Sequence, residues 1–182
     1  MNGIDVVFLA GWIAFWVYWI VASVGVKLEQ HRWGRFAGIR VAAVLVVLLL
    51  VRARALKGQA TTHDPWLQGF GLAVFFSGLA LALWARVHLG PNWGTPMSQK
   101  VDPELITTGP YRRIRHPIYS GIILAMIGTT IGVSLYWLLA VVFLGAYFLY
   151  GAFMEERFMV ARFPDSYPAY KRSTNMLIPF VF

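Results

Sequence analysis

The chain has 182 residues, 58% of them hydrophobic and only 13% charged, which is too little polar surface for one soluble globule and marks a membrane protein. Without a cysteine it can form no disulfide, thiolate nucleophile or Cys-ligated metal site. The net charge of +8 would suit a nucleic-acid partner, but its distribution along the chain assigns it to membrane topology instead, with no nucleic acid.

A membrane span needs about 20 apolar residues. The first predicted span covers 4–26. It lacks a positive leading region and carries Asp5, so it reads as a retained helix and not as a cleaved signal. Trp12, Phe15, Trp16, Tyr18 and Trp19 crowd this span, either packing on lipid or neighbours or walling a lipophilic substrate. A linker, 27–38, mixes charges with Trp33 and Phe36 as an interfacial segment, where His31 reads as solvated. The second span, 36–56, keeps Arg40, Arg52 and Arg54 at its ends by snorkelling. Gly58 closes it, and Asp64-Pro65 is a helix-start pair for the third span, 66–87. His63 and Asp64 are too few to fill a coordination shell, so no metal is expected.

Trp84, Arg86 and His88 close the third span before Gly90-Pro91 stops it, and a polar connection, 95–108, follows. Connections of that length often serve as lids or binding loops. Its end, 105–111, is expected to lie extended. Residues 109–121 then take a basic loop straight into an uncharged run, 118–154, too long for one helix and right for two. Pro117 fits the first helical position and places His116 near the N-cap, with the positive end of the helix facing the loop. Arg112 and Arg113 read as ordinary anchors of that helix. A turn at Gly132, Val133 and Ser134 separates the fourth and fifth spans, and Gly121, Gly128 and Gly132 are expected to pack this 4–5 hairpin. The fifth span is expected to end at Met154. Glu155 and Glu156, adjacent like charges at a helix C-terminus, then need a cationic partner: Arg112, Arg113, Arg115 or a ligand. The tail, with Tyr167, Tyr170 and Phe180, is either an interfacial segment or a cover folded back over the basic loop.

With five spans, every Lys and Arg except Arg52, Arg54 and Lys57 falls on one face. By the positive-inside rule that face is cytoplasmic and the N-terminus lies outside. The expected fold class is therefore an all-α integral membrane protein of five transmembrane helices with a 4–5 hairpin and a C-terminal cytoplasmic cover. It forms one membrane domain, 1–182, with a three-helix part at 1–88 and the cofactor-binding, catalytic part at 89–182.

Leu-Ile-Thr-Thr-Gly-Pro-Tyr at 105–111, Arg-His-Pro-Ile-Tyr-Ser-Gly at 115–121, the Glu155-Glu156 pair and Phe-Pro-Asp-Ser-Tyr-Pro-Ala-Tyr at 163–170 followed by Ile-Pro-Phe at 178–180 resemble the isoprenylcysteine carboxyl methyltransferase family and its prokaryotic relatives. The likeness covers about 84–182, including Trp84-Ala85-Arg86 and the Gly90-Pro91-Asn92-Trp93 stop. The resemblance implies S-adenosylmethionine as methyl donor, giving S-adenosylhomocysteine, and a lipophilic or lipidated acceptor reaching in from the bilayer. It implies His116 and Tyr119 at the amino-acid part of the donor. Leu105, Ile106, Gly109 and Tyr111 would lie along its adenosine, and Glu155 and Glu156 at its ribose hydroxyls or ammonium. The family's basic residue shortly before the acidic pair is missing from 148–154, so Arg86 or Arg115 takes that catalytic part, or the acceptor is an amine, phenol or thiol. An NADPH-dependent, sterol-reductase-like enzyme shares an Arg-His-Pro-x-Tyr half, and a non-catalytic lipid-binding protein would share the hydrophobic layout.

Overall fold

The computed structural model describes residues 3–24, 61–97 and 102–178, with positions 26, 38, 41, 42, 45 and 52 singly. The linker with His31, most of the second predicted span, Gly58, and Phe180 in the tail lie outside the described residues.

Five α-helices and three short 3-10 turns make up the described chain. They are α1 (Gly3–Val21), α2 (Pro65–Leu89), α3 (Pro117–Gly132), α4 (Leu138–Arg162) and α5 (Tyr167–Ser173), with turns at Gly90–Asn92, Gly109–Arg112 and Leu135–Trp137. Among them, Gly3–Val21, Pro65–Asn92 and Leu135–Arg162 are long and apolar enough to cross a membrane, and Pro117–Gly132 is a shorter apolar helix. The protein is a multi-pass integral membrane protein.

Helix α2 starts where the sequence places it. Asp64 takes an extended backbone, and its carboxylate accepts from the N–H groups of Trp66 (2.8 Å) and Leu67 (3.2 Å), while Pro65 fills the first helical position. The face of α2 that follows is built for close approach. A Cβ added at Gly71 would lie 2.5 Å from the backbone of Gly132, and one at Gly121 would lie 2.6 Å from the backbone of Ala82. Gly78 meets Ala125 and Gly128 meets Phe75 in the same way. Gly121 and Gly128 of α3 therefore face α2, and a Cβ at Gly132 would meet the Phe8 ring of α1, so these glycines do not pack α4 as expected. The reason is geometric: without side chains between them, two backbones come into van der Waals contact, and α2 supplies glycines in matching register.

Helix α1 lays Phe8, Phe15 and Trp19 into the core and leaves Trp16 exposed. Phe8 packs on Phe75 with centroids 4.9 Å apart, and the Trp12 indole N–H donates to Thr129 Oγ1 at 3.1 Å. Of the crowded aromatics, Trp12 thus packs against α2 and α3, Trp19 meets Trp93, and Trp16 and Tyr18 are exposed.

Two further expectations are corrected. The fifth predicted span does not stop at Met154: α4 runs on to Arg162, which puts Glu155 and Glu156 inside the helix and away from its carbonyl end. The stretch 105–111 is not extended throughout: Thr108 has an extended backbone, and a turn follows it. Gly109 then takes φ +57°, a left-handed backbone that glycine reaches without a Cβ penalty, and starts the Gly109–Arg112 turn.

The tail does fold back. Ile114 pairs with Asn175 in an isolated parallel bridge. The Arg115 N–H donates to the Asn175 carbonyl (2.9 Å), and the His116 N–H donates to that of Met176 (3.1 Å). The Ser120 hydroxyl donates to the Leu177 carbonyl (2.5 Å), and the Tyr170 hydroxyl to that of Tyr111 (2.7 Å). The backbone groups of the basic loop, which helix formation would leave unpaired, find their partners in residues 170–177.

Candidate functional site

Pro117 is the first residue of α3, and His116 is its N-cap, so the imidazole stands at the helix mouth. From there α3 leads away to Gly132, and α4 returns to bring its acidic pair back to the same end. His116 Nδ1 lies 3.5 Å from Glu155 Oε2, and His116 Nε2 lies 3.7 Å from Glu156 Oε1. The His116 side chain is only 9% exposed, and Nε2 has no hydrogen-bond partner.

Each carboxylate has its own set of donors. Glu155 Oε1 accepts from the Tyr119 hydroxyl (2.5 Å) and the Met97 N–H (2.9 Å). Glu156, 2% exposed, accepts from Arg115 Nε at 2.6 Å and holds Lys171 Nζ 2.5 Å from its second oxygen. Arg115 also donates through Nη1 to the carbonyl of Lys171 (3.1 Å), to the carbonyl of Thr174 and to Thr174 Oγ1 (3.3 Å). A charge this deep persists only with opposite charge and hydrogen bonds around it, and here α5 and the loop supply both.

An aromatic stack closes the other side. The His116 and Tyr119 rings are parallel with centroids 5.5 Å apart, and Tyr119 stacks on Phe148 at 4.8 Å. Met97 is buried and held at φ +65°, a sparsely populated conformation for a residue with a Cβ, and its N–H is thereby directed at Glu155.

The electrostatics follow from these contacts. Burial disfavours the charged imidazole, but hydrogen bonds and charge from Glu155 and Glu156 outweigh it and hold the His116 pKa above its ordinary value. Burial likewise raises the Tyr111 and Tyr167 phenols, and the Tyr170 phenol is pushed up to about 12, chiefly by burial. These hydroxyls act as neutral donors and acceptors.

Arg115, His116, Tyr119, Glu155 and Glu156 therefore converge, as the sequence reading required. Tyr111 is buried beside them under Tyr170. Ile106 packs on the core, Leu105 is half-buried, and a Cβ at Gly109 would collide with the His88 imidazole. Arg86, 4% exposed, gives Nη1 to the Gly90 carbonyl (2.8 Å) and Nη2 to that of Ala22, with its guanidinium 4.9 Å from the Trp93 ring centre. Arg112 and Arg113 are exposed. Lys171, Thr174 and Met97 are site residues that the sequence did not single out. Lys171 had a signal, a cation in a tail that returns to an acidic pair; Met97 had none, because only its backbone N–H is used. Among the described residues, no group of three or more His, Asp or Glu could hold a metal.

Helices of this kind, with a polar cluster where α3 begins and α4 nears its end, are similar to those of a solved intramembrane methyltransferase. The solved eukaryotic intramembrane Ras methyltransferase, isoprenylcysteine carboxyl methyltransferase, superposes with a TM-score of 0.57 at 25% identity, over 84% of this chain and 54% of that one. The chain belongs to the phospholipid methyltransferase family, whose model matches residues 66–166. Curated relatives include the cobalt-zinc-cadmium resistance protein CzcN of Cupriavidus metallidurans (27% identical, covering 77% of this chain and 63% of the relative). A methanethiol S-methyltransferase of a Pseudomonas species is also 27% identical, over 64% of this chain and 48% of the relative. The chain thus spans between about half and two thirds of the length of these proteins.

Proposed function

We propose that this protein transfers a methyl group from S-adenosylmethionine to a lipophilic acceptor that enters from the bilayer. In this reading the chain is a single membrane domain of five spans, with a hairpin of the last two. Its N-terminus is outside, and the site lies on the cytoplasmic face under the tail. The observation that supports it best is the meeting of His116 and Tyr119 with Glu155 and Glu156, at separations of 2.5–3.7 Å.

The residues present suit such a donor. Its ammonium and ribose hydroxyls fit the carboxylates of Glu155 and Glu156. Its carboxylate fits the mouth of α3 and the His116 imidazole there, with Tyr119 alongside. Leu105, Ile106, Gly109 and Tyr111 form the adenosine side. Bound there, the donor would supply an electrophilic methyl on a sulfonium, and the protein's task is to align the acceptor and exclude water. Arg115, tied to Glu156 and to the Thr174 carbonyl, positions the acidic pair and closes the tail over it. Arg86, the other cation considered for orienting an acceptor, is held by the Gly90 and Ala22 carbonyls. The relatives differ on the acceptor: one is named for methanethiol, another for the isoprenylcysteine carboxyl group.

Titration of the detergent-solubilised protein with S-adenosylhomocysteine and, separately, with NADPH tests the reading. S-adenosylhomocysteine is expected to bind, and His116→Ala and Glu156→Gln are each expected to weaken it about tenfold or more. Binding of NADPH alone overturns it.

A further inference from the structure

The two cations on Glu156 are attached in different ways. Arg115 belongs to the core: its side chain is 8% exposed, and its Nε lies 2.6 Å from Glu156 Oε1. Its Nη1 donates onward to the carbonyls of Lys171 and Thr174 and to Thr174 Oγ1, so it cannot leave without releasing the tail. Lys171 is attached more lightly. Its side chain is 46% exposed, and its ammonium stands 2.5 Å from Glu156 Oε2. That oxygen is buried and accepts no hydrogen bond of good geometry among the described residues, so charge is what keeps the ammonium there. A long, half-exposed side chain gives up rotamer freedom to hold such a pair, which makes this the weaker of the two attachments. The backbone of α5 is fixed without it: the Lys171 carbonyl accepts from Arg115 Nη1 at 3.1 Å, and the Tyr170 hydroxyl donates to the Tyr111 carbonyl at 2.7 Å.

We propose that Lys171 holds, on Glu156 Oε2, the place that the ammonium of the methyl donor takes, so that the lysine competes with the donor from within the chain and swings out to solvent when the donor binds. This rests on the methyltransferase reading. The lysine head and the donor's amino group are the same chemical object, a compact positive charge with three N–H donors. Glu155 is the poorer host for a further cation. Its Oε1 already accepts from the Tyr119 hydroxyl (2.5 Å) and the Met97 N–H (2.9 Å), and its Oε2 faces His116 Nδ1 at 3.5 Å. At Glu156 a third positive group beside Arg115 and Lys171 would meet repulsion that a buried site screens poorly. One cation must leave, and Lys171 is the one whose departure leaves the tail in place. Its return to Oε2 then displaces the ammonium of S-adenosylhomocysteine and helps the product go.

The test is a titration of the full chain in detergent with S-adenosylhomocysteine and with 5′-methylthioadenosine, which keeps the adenosine and the sulfur but has neither ammonium nor carboxylate. In Lys171→Met, S-adenosylhomocysteine is expected to bind about fivefold more tightly than in the wild type, while 5′-methylthioadenosine stays within about twofold. A second measurement needs no variant: labelling of Lys171 by an amine-directed ester, read by mass spectrometry. S-adenosylhomocysteine is expected to raise that labelling rate about twofold or more, and 5′-methylthioadenosine to leave it unchanged. The inference is overturned by unchanged or weaker S-adenosylhomocysteine binding in Lys171→Met, by equal tightening of both nucleosides, or by labelling that S-adenosylhomocysteine leaves unchanged or lowers. A wild-type protein that binds neither nucleoside would instead sink the methyltransferase reading, and this inference with it.

Discussion

Helix α3 is held on one side by contact without side chains and at its N-terminal end by contact through charged ones. Against α2, Gly121 and Gly128 bring backbone to backbone, and no polar side chain intervenes at those positions. Toward the end of α4, the same helix meets carboxylates that carry two cations, a phenol and an imidazole. Dispersion between close-packed atoms works as well in lipid as in water, so the first contact can fix α3 in the membrane by itself. The second is then free to be polar, and even strained at Met97.

The largest expected effect breaks the first half of that contrast. Gly121→Leu must place a side chain where the Ala82 backbone N lies 2.6 Å from the Cβ position, and neither helix backbone can yield locally. Overpacking of this kind is expected to cost about 3 kcal/mol or more and to abolish a cooperative thermal transition in detergent. A variant that still melts like the wild type would show that α2 and α3 do not make this contact.

A smaller effect sharpens the second half. Glu155 and Glu156 from α4 face His116, Arg115 and Tyr119 flank it from its own segment, and α5 supplies Lys171 beyond Glu156. With its pKa raised in the folded state, the imidazolium contributes stability that is fully present below 6.5, the ordinary value. That contribution is lost as pH rises through the folded pKa. The thermal midpoint of the wild type is therefore expected to fall by about 4 °C over that alkaline interval relative to His116→Gln, whose curve should be flatter. Parallel curves would mean that the imidazole is not paired with the carboxylates.

How much of this was legible beforehand depends on whether the determinant is local. Asp64-Pro65 and His116-Pro117 could be read as helix starts because capping and proline geometry act within one turn, and both are observed. The end of the fifth span was not legible, since composition changes at Glu155 while the helix continues; what lets it continue is Arg115 and Lys171, distant in sequence. The partner of the α3 glycines was hidden for the same reason. A small-residue spacing says that something comes close, and only the matching register of Gly71 and Gly78 says that it is α2. Within the site, the side chains His116, Tyr119, Glu155 and Glu156 stood out by type. The Met97 N–H, a group every residue has, could not.

The smallest expected effect asks whether the two ends of the bundle are energetically separate. Asp64 caps α2 at the end away from the carboxylates, where the Thr62 N–H donates to the Val133 carbonyl (2.9 Å) and the Gln68 side chain to the Thr62 carbonyl (2.6 Å). Asp64→Ala removes the acceptor of two helix N–H groups that water can still reach, a loss of about 1 kcal/mol, or about 2 °C in thermal midpoint. The helices between the ends are in direct backbone contact and act as rigid rods, so fraying of the first turn should stop at Gly71, where α3 takes over. S-adenosylhomocysteine affinity should then stay within about twofold of the wild type, since sites far apart with no shared partner add independently. A parallel loss of affinity would mean that α2 shifts as a whole when its cap is removed, carrying α3 and His116 with it. The packed face and the polar end would then be one mechanical unit.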